Sequence, residues 1–319
     1  MSRLGAAIKS EPGDDRRTMA MTADDILSRP ALEQCVRRQA QALLSIQDAS
    51  PRMASIFATR QRWLMAHAAL AQYFRNQAND AGAGLMAERF LEMIERHNIA
   101  SRNTGAAFLK EMLKYDIIRF VAGSASRRHR PMEPAPAVVM AVFGWHALHL
   151  AALDGLDGGA RVATFHARPA LLRTIQPLIA DRLIGSEDVR KPERIFSLFV
   201  WFNEGGLVMD RLMVGCQQAC DGLPRIPTDV TSVSSLASRL KLSRTQLGRK
   251  LAEAEAMGSL GWSGARGKSP LWVSAEFRRE YHSAQAVKLA IIDSAFQACA
   301  GDDEGPQPRG IGMIPRSGI

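Results

Sequence analysis

The chain has 319 residues, of which 46% are hydrophobic, and this is enough for two medium-sized domains with cores of their own. It carries 41 Lys and Arg against 32 Asp and Glu, and the resulting net charge of +9 favours polyanionic partners. Four scattered cysteines exclude the disulfide framework of a small secreted domain and favour a reducing compartment.

The two ends of the chain differ from the rest in composition. Residues 1–24 mix Gly, Pro, Ser and charge without periodicity and lack the apolar core of a signal peptide. We predict a disordered N-terminal segment over 1–24 and a disordered tail over 301–319. Nearly every segment between them has the apolar spacing of three to four residues that is typical of helices. The predicted fold class is therefore mainly α with small β-hairpins.

Three long helical regions are predicted in chain order. They cover residues 53–79, 135–183 and 193–220. A Gly-rich stretch breaks the middle region, so we predict that residues 154–192 form a helical connector between two modules. Pro177 lies in this connector, where it kinks the helix or ends a turn.

One apolar stretch is long enough to be considered as a membrane span. Residues 134–153 carry no charge, but the stretch opens with two prolines and contains His146 and His149, so we predict a buried helix. The two histidines have a spacing compatible with a metal, but no nearby Cys or acidic cluster completes a ligand set. Cys216 and Cys220 lie on one helix face and suit buried packing better than a redox switch.

The clearest functional pattern lies between residues 231 and 277. A short amphipathic helix is followed by a tight turn, and Ser243 then occupies the N-cap position of a second helix that runs to about residue 257. Two predicted strands, over 260–262 and 271–273, enclose a Gly-rich basic loop. The order is therefore helix, turn, helix, strand, loop, strand.

This order resembles the winged helix-turn-helix of MarR-like transcription regulators. The resemblance implies that the second helix is a recognition helix and that the hairpin is a wing beside it. Polar and basic side chains at these places can contact phosphates or base edges of a major groove. The candidate DNA-binding residues are Ser243, Arg244, Thr245, Gln246, Arg249 and Lys250 in the helix, and Arg266 and Lys268 in the wing.

A second copy of the pattern lies 142 residues earlier. Ser101 and Arg102 open a helix with the same two residue types, and at this offset apolar positions fall on apolar positions. We predict strands over 117–121 and 132–136, with a basic turn between them. The candidate DNA-binding residues of this copy are Arg102, Asn103, Thr104 and Lys110 in the helix, and Arg127, Arg128 and Arg130 in the wing.

The repeat predicts two modules, over 25–153 and 193–300, each with a leading helix and a helix after its wing. MarR-like proteins use these flanking helices to build a dimer, so the resemblance implies two units fused in one chain and related by a pseudo-twofold axis. The chain departs from that family in the fusion, in the connector and in the weak second wing strand of the first module.

The resemblance implies a cytoplasmic transcription regulator, associated with the nucleoid, that binds double-stranded DNA sequence-specifically. Because the two helix starts differ, we predict an imperfect palindrome with unequal half-sites about one helical turn apart. Arg102 and Arg244 are the best candidates for base contacts, with phosphate contact as the alternative. The sequence contains no catalytic motif with supporting context, so we expect no enzyme activity, no cofactor and no metal.

Two other classes stay open. One is a replication initiator with paired winged helices, and the other is an interaction scaffold whose winged helices no longer contact DNA. An acidic or apolar recognition face would mark the scaffold, whereas both faces here are expected to be basic. The sequence also leaves open an effector pocket between helices and self-association of the chain, and it identifies no ligand.

Overall fold

The computed structural model describes residues 19–50, 59–78, 84–122, 130–217 and 222–300. Over these residues the protein is mainly helical and has two small antiparallel sheets, which confirms the predicted class at this level. Buried side chains from all parts of the described chain form one hydrophobic core.

The first half of the chain ends with a long helix after a short hairpin. Its elements are α1 (Ala23–Leu27), α2 (Leu32–Ala49), α3 (Arg60–Ala78), α4 (Ala87–Arg96), α5 (Arg102–Lys114), β1 (Ile118–Phe120), β2 (Met132–Pro134) and α6 (Pro136–Asp157). β1 and β2 pair antiparallel, with Ile118 opposite Pro134. Both strands were predicted, and each is shorter in the structure than the predicted range. Leu85, just before α4, forms an unpredicted bridge to Met132 of β2.

The second half repeats this order with a third full strand. Its elements are α7 (Arg161–Ala167), a 3₁₀ turn (Pro169–Leu171), α8 (Leu172–Gly185), α9 (Glu187–Arg190), α10 (Arg194–Val200), α11 (Gly205–Gly215), β3 (Arg225–Pro227), α12 (Val233–Arg239), α13 (Arg244–Ala256), β4 (Leu260–Trp262), β5 (Leu271–Ser274) and α14 (Ala275–Ala300). β5 lies between β3 and β4 and pairs antiparallel with both. β3 was not predicted.

The first helices of each half pack against helices of the other half. α1 and α2 of the first half pack against α14 and α11 of the second half. In the same way, α7 and α8 of the second half pack against α6 and α3 of the first half. The two closing helices, α6 and α14, also pack against each other. The halves therefore share one core.

The segment 154–192, predicted as a connector, belongs to this core. It joins the halves in sequence, but α8 lies against both α3 and α14, and its Ile175, Ile179 and Leu183 are fully buried. Pro177 lies inside α8. Because apolar residues occupy more than one face of α8, a helix with this sequence is stable only when it is buried.

The long element predicted over 193–220 is two helices. α10 ends at Val200, and Glu204 has a left-handed backbone with φ of 57° before α11 begins. A side chain on Gly205 would collide with the carbonyl of Phe199, so only glycine permits this tight turn. Residues 218–220 of the prediction lie outside the described residues, as do 53–58 and 79 of the first long helix.

The described chain begins within the segment predicted to be disordered. Thr22 and Asp25 form a capping box at the start of α1, and the backbone N–H of Met21 donates to Asp293 at 2.8 Å. Residues 19–24 are therefore ordered. Residues 1–18 and the predicted tail over 301–319 lie outside the described residues.

α6 is long and apolar enough to cross a bilayer by length and composition. In the structure it packs against α2, α7 and α14, and Leu150 and Leu153 on it are fully buried. α6 therefore buries one face in the core, and 39% of its apolar 18-residue window is buried, so the predicted burial holds for only that part of the helix.

Candidate nucleic-acid interface

The starts of α5 and α13 are built in the same way. The hydroxyl of Ser101 accepts a hydrogen bond from the N–H of Thr104, and the hydroxyl of Ser243 accepts one from the N–H of Gln246. Both helices have 13 residues and begin 142 residues apart, which is the predicted offset. Such serine caps satisfy amides that have no partner within the helix, so they fix where each helix starts.

Each of the two helices also ends in the same turn. Asp116 after α5 and Gly258 after α13 have left-handed backbones, with φ of 54° and 69°. The N–H of Ile117 then bonds back to the carbonyl of Met112 at 2.9 Å, and the N–H of Ser259 bonds to the carbonyl of Ala254 at 3.1 Å. This turn leads each helix directly into a strand of its hairpin.

The first turns of α13 present an uncompensated basic and polar face. Arg244, Thr245, Gln246 and Arg249 are exposed, while Leu247 on the opposite side is fully buried. Among the described residues, no carboxylate forms an ion pair with Arg244 or Arg249. Both guanidinium groups are therefore available to an external anion.

Other predicted residues of the second half lie at the edge of this face. Lys250 is half-buried and donates to Glu253 at 2.8 Å, and Arg266 in the hairpin loop lies 3.7 Å from Glu255. Lys268 is exposed in the same loop. Ser243 is the cap of α13, so its hydroxyl is already engaged with the backbone.

The hairpin loop between β4 and β5 is compact. The hydroxyl of Ser269 accepts from the N–H of Gly264 at 2.9 Å and donates to the carbonyl of Ala265 at 3.0 Å. One further cation was missed: the guanidinium of Arg225, on β3, lies 4.4 Å from the ring centre of Trp272. It could not be assigned to this sheet because β3 was not predicted.

The corresponding face of α5 is partly neutralised. The Arg102 guanidinium donates to Glu88 at 2.6 Å and lies 3.9 Å from Glu95. The hydrogen bond to Glu88 raises the pKa of Arg102 above its ordinary value. The hydroxyl of Thr104 is hydrogen-bonded to that of Ser101 at 3.0 Å. Asn103 is also exposed in this turn, and its side chain forms no hydrogen bond within the described part of the chain.

The remaining predicted residues of the first half divide into two groups. Lys110 is exposed on α5, and the guanidinium of Arg130 lies 4.4 Å from the ring centre of Phe120 at the base of the hairpin. Arg127 and Arg128 lie outside the described residues.

The expectation that both faces are basic is therefore wrong for the start of α5. α4 carries exposed Glu88, Glu92 and Glu95, whereas α12, its counterpart beside α13, has no acidic residue. Comparison of these two preceding helices in the sequence would have revealed the difference. The structure adds that Glu88 reaches Arg102 across the turn.

Two other groups of titratable residues are structural. His146 and His149 are fully buried in α6, and burial lowers the pKa of His146 to about 4. Glu193, Glu276 and Glu280 lie close enough to share a cation, but Arg279 already pairs with the first two. Glu280 accepts the N–H groups of Ile195 and Phe196 and so caps the start of α10.

In comparison with known proteins, no family model, curated protein or solved structure matches the chain. The function has to be inferred from the residues themselves.

Proposed function

We propose that the protein is a sequence-specific DNA-binding transcription regulator, built from two winged helix-turn-helix units related by a pseudo-twofold axis. One observation carries the proposal. The exposed start of α13 combines Arg244 and Arg249, which have no carboxylate partner among the described residues, with Thr245 and Gln246, which can bond to base edges. This is the combination that a recognition helix needs.

The arrangement supports one mode of docking. The start of α13 enters a major groove, where Arg244 and Gln246 reach base edges and Arg249 contacts phosphate. The compact loop with Arg266 and Lys268 lies beside the groove and contacts the flanking phosphates. The N–H groups at the start of α13 add a favourable partial positive charge.

The two units are proposed to bind DNA unequally. Glu88 and Glu95 neutralise Arg102 and would repel phosphates that approach α5. α13 has no such neighbours in α12. The operator therefore consists of one strong half-site bound by α13 and one weak half-site bound by α5. Such an operator is an imperfect palindrome, as the different helix starts also predict.

A titration with matched arginine variants tests this proposal. Binding of the full chain to a labelled duplex of about 40 base pairs, long enough for two half-sites, is followed by fluorescence anisotropy at several salt concentrations. Arg244→Ala is expected to weaken binding by roughly 5-fold to 100-fold, as expected for the loss of a base or phosphate contact. Arg102→Ala is expected to have a much smaller effect.

Arg173→Ala is the control, because Arg173 is exposed on α8, outside both faces. Equal losses for Arg102→Ala and Arg244→Ala would contradict unequal binding. Absence of any salt-sensitive binding to duplex DNA by the wild type would contradict the function and favour the scaffold class.

A further inference from the structure

An ion pair joins the core helix α11 to the second unit, which comprises β3, α12, α13, β4 and β5. The guanidinium of Arg211, near the end of α11, donates to the two carboxylate oxygens of Asp229 at 2.7 and 2.8 Å. Asp229 lies between β3 and α12, within the unit. A bidentate pair of this kind fixes the orientation of its two groups as well as their distance. We call such a pair a clamp.

The backbone at the end of α11 strengthens this clamp. The N–H of Asp229 donates to the carbonyl of Gly215, the last residue of α11, at 3.0 Å. A side chain on Gly215 would collide with Oδ1 of Asp229 and with Nη1 of Arg211, so it would displace the pair. Asp229 is therefore held to α11 by both its side chain and its backbone.

Neighbouring backbone groups extend this connection to the sheet. Cys216 forms an antiparallel bridge with Thr228, and the N–H of Gln217 donates to the carbonyl of Pro227 at 3.0 Å. The N–H and the hydroxyl of Thr228 both donate to the carbonyl of Leu271 in β5, each at 2.7 Å. One short segment is thus bonded to the core helix on one side and to the sheet on the other.

A residue of the first half contacts the same end of α11. The guanidinium of Arg37, on α2, donates to the carbonyls of Val214 and Cys216 at 3.4 and 3.0 Å. The last carbonyls of a helix have no partner within it and carry a partial negative charge, so a cation is favourable there. The first half therefore holds the helix end to which the second unit is clamped.

The first unit has a clamp at the opposite end of its long helix. The guanidinium of Arg62, in the first turn of α3, donates to the two carboxylate oxygens of Glu111 on α5, each at 3.0 Å. The same guanidinium lies 5.4 Å from the ring centre of Phe108. α5 is thereby fixed directly to a helix of the shared core.

Neither clamp is repeated at the matching place in the other half. Glu253, which matches Glu111 at the offset of 142, accepts from Lys250 of its own helix. Arg75, near the end of α3, pairs with Asp181 of the core helix α8. The two clamps therefore cannot be explained as a by-product of the repeat.

We propose that the clamps Arg62 with Glu111 and Arg211 with Asp229 fix the orientation of the two units and so determine the half-site spacing that the chain accepts. This role rests on the proposed function, because spacing matters only for DNA that contacts both units. These are positioning residues, since they act through α5 and α13.

Half-site spacing depends closely on orientation. Each base pair added between two half-sites moves one of them by about 3.4 Å and rotates it by roughly 35° about the axis of the duplex. Two rigidly held units therefore match one spacing. Units that pivot on the core accept several spacings, and the best spacing then gains less affinity, because the protein is less preorganised.

Anisotropy titration of the full-length protein measures this preference on duplexes that carry the two halves of its selected motif at spacings of about 8 to 12 base pairs. The wild type is expected to bind the best spacing roughly 10-fold or more tightly than one changed by about two base pairs. Glu111→Gln and Asp229→Asn should each reduce this ratio to about 3-fold or less. Both carboxylates are partly exposed, so both variants are expected to fold.

A duplex with the strong half-site alone separates positioning from a purely structural role. Its affinity depends on α13 and not on the relative placement of the units, so Asp229→Asn should leave it within about 2-fold of the wild type. Arg211→Met, which also removes the buried cation, should behave in the same way. Loss of this affinity with a retained spacing preference would show that the clamp only stabilises the fold.

Asp181→Asn is the matched control, because Asp181 is an exposed carboxylate that pairs with Arg75 outside both units. It should keep the wild-type ratio. An unchanged ratio in Glu111→Gln or Asp229→Asn, or a wild type that is indifferent to spacing, would overturn the role of the clamps and leave DNA binding intact. Absence of binding to any duplex by the wild type would contradict the proposed function and, with it, this role.

Discussion

Two arginines at matching positions show how much a residue depends on its neighbours. Arg102 and Arg244 both follow a serine cap, and the spacing of residues within each helix does not distinguish them. In the structure, Arg102 is held by Glu88 and Glu95, whereas Arg244 is exposed and has no carboxylate partner in the described chain. The serine that precedes each arginine could be assigned as an N-cap from the sequence, because capping depends on local spacing alone.

Removing the acidic neighbours of Arg102 should strengthen DNA binding. Glu88→Gln together with Glu95→Gln frees the Arg102 guanidinium and removes two charges that repel phosphate, so we expect affinity to rise by roughly 3-fold to 10-fold at low salt. Anisotropy titration checks this, with Glu187→Gln on α9 as the control, because that exposed residue pairs with Lys191. Unchanged or weaker binding would show that these carboxylates do not oppose DNA.

The pairing of Arg102 could not be predicted from the sequence. Glu88 lies 14 residues before Arg102, on a different helix, and their contact depends on the angle at which α4 and α5 cross. A period of three to four residues predicts contacts within a helix and gives no information about contacts across a turn.

At the scale of elements, the turn between the two helices of each unit stores a small strain. Lys241 before α13 and Asn98 before α5 both have a left-handed backbone, with φ of 56° and 52°. Asn tolerates this conformation, but a side chain such as that of lysine makes it unfavourable by about 1–2 kcal/mol. The strain is therefore larger in the second half.

Lys241→Gly should stabilise the protein. Relief of the left-handed strain exceeds the added entropy of glycine in the unfolded chain, so the free energy of unfolding should rise by about 0.5–1 kcal/mol. Denaturant unfolding measures it. Ser238→Gly, in the exposed face of α12, is the contrasting control and should lower the free energy of unfolding by about 0.5 kcal/mol. A loss of stability in Lys241→Gly would be inconsistent with this backbone conformation.

Elements with strong local signals were predictable and very short ones were not. Serine caps located the starts of α5 and α13 to the residue, and the apolar pairs flanking a Gly-rich loop located β4 and β5. β3 has three residues and includes Pro227, so it lacks the alternation that marks a strand. The turn before Gly205 depends on a close approach to Phe199, which becomes visible only in three dimensions.

At the scale of the whole molecule, a buried ion cluster joins the two halves. Arg161, 4% exposed, donates to Asp157 at 2.7 Å and to the fully buried Asp293 at 2.8 Å, and Asp293 also accepts the N–H of Met21. The cluster thus ties the end of α6 and the start of α7 to α14 and to the N-terminal segment.

Arg161→Met should destabilise the protein strongly. It leaves the carboxylate of Asp293 buried without its cation, which is expected to lower the free energy of unfolding by about 3–5 kcal/mol. Denaturant unfolding of Lys191→Met, which removes an exposed pair with Glu187, is the control and should change it by less than about 1 kcal/mol. A decrease in the free energy of unfolding as small as that of the control would mean that Arg161 does not pair with these carboxylates in solution.

The same cluster predicts a pH dependence. The hydrogen bond from Arg161 lowers the pKa of Asp157 below its ordinary 3.8, so its contribution is present above that pH and is lost as the pH falls through the lower folded value. The acid-side loss of stability should be smaller in Arg161→Met, which provides an internal check on the unfolding experiment.

The arrangement of the whole molecule was only partly predictable. The repeat of elements follows from the sequence, because the spacing of caps and apolar residues is local. The exchange of α1 and α2 for α7 and α8 between the halves does not, because any apolar helix can pack against either half. For the same reason, the core helix α8 could be interpreted as a connector.

Selection of bound sequences from a random duplex library by the full-length protein tests the proposed function most directly. We expect one enriched motif with a strong and a weak half about ten base pairs apart. Arg244→Ala should lose the strong half, and Arg102→Ala should retain it. Enrichment of no sequence by the wild type, or of a symmetric motif insensitive to Arg244→Ala, would contradict a regulator that reads DNA mainly through α13.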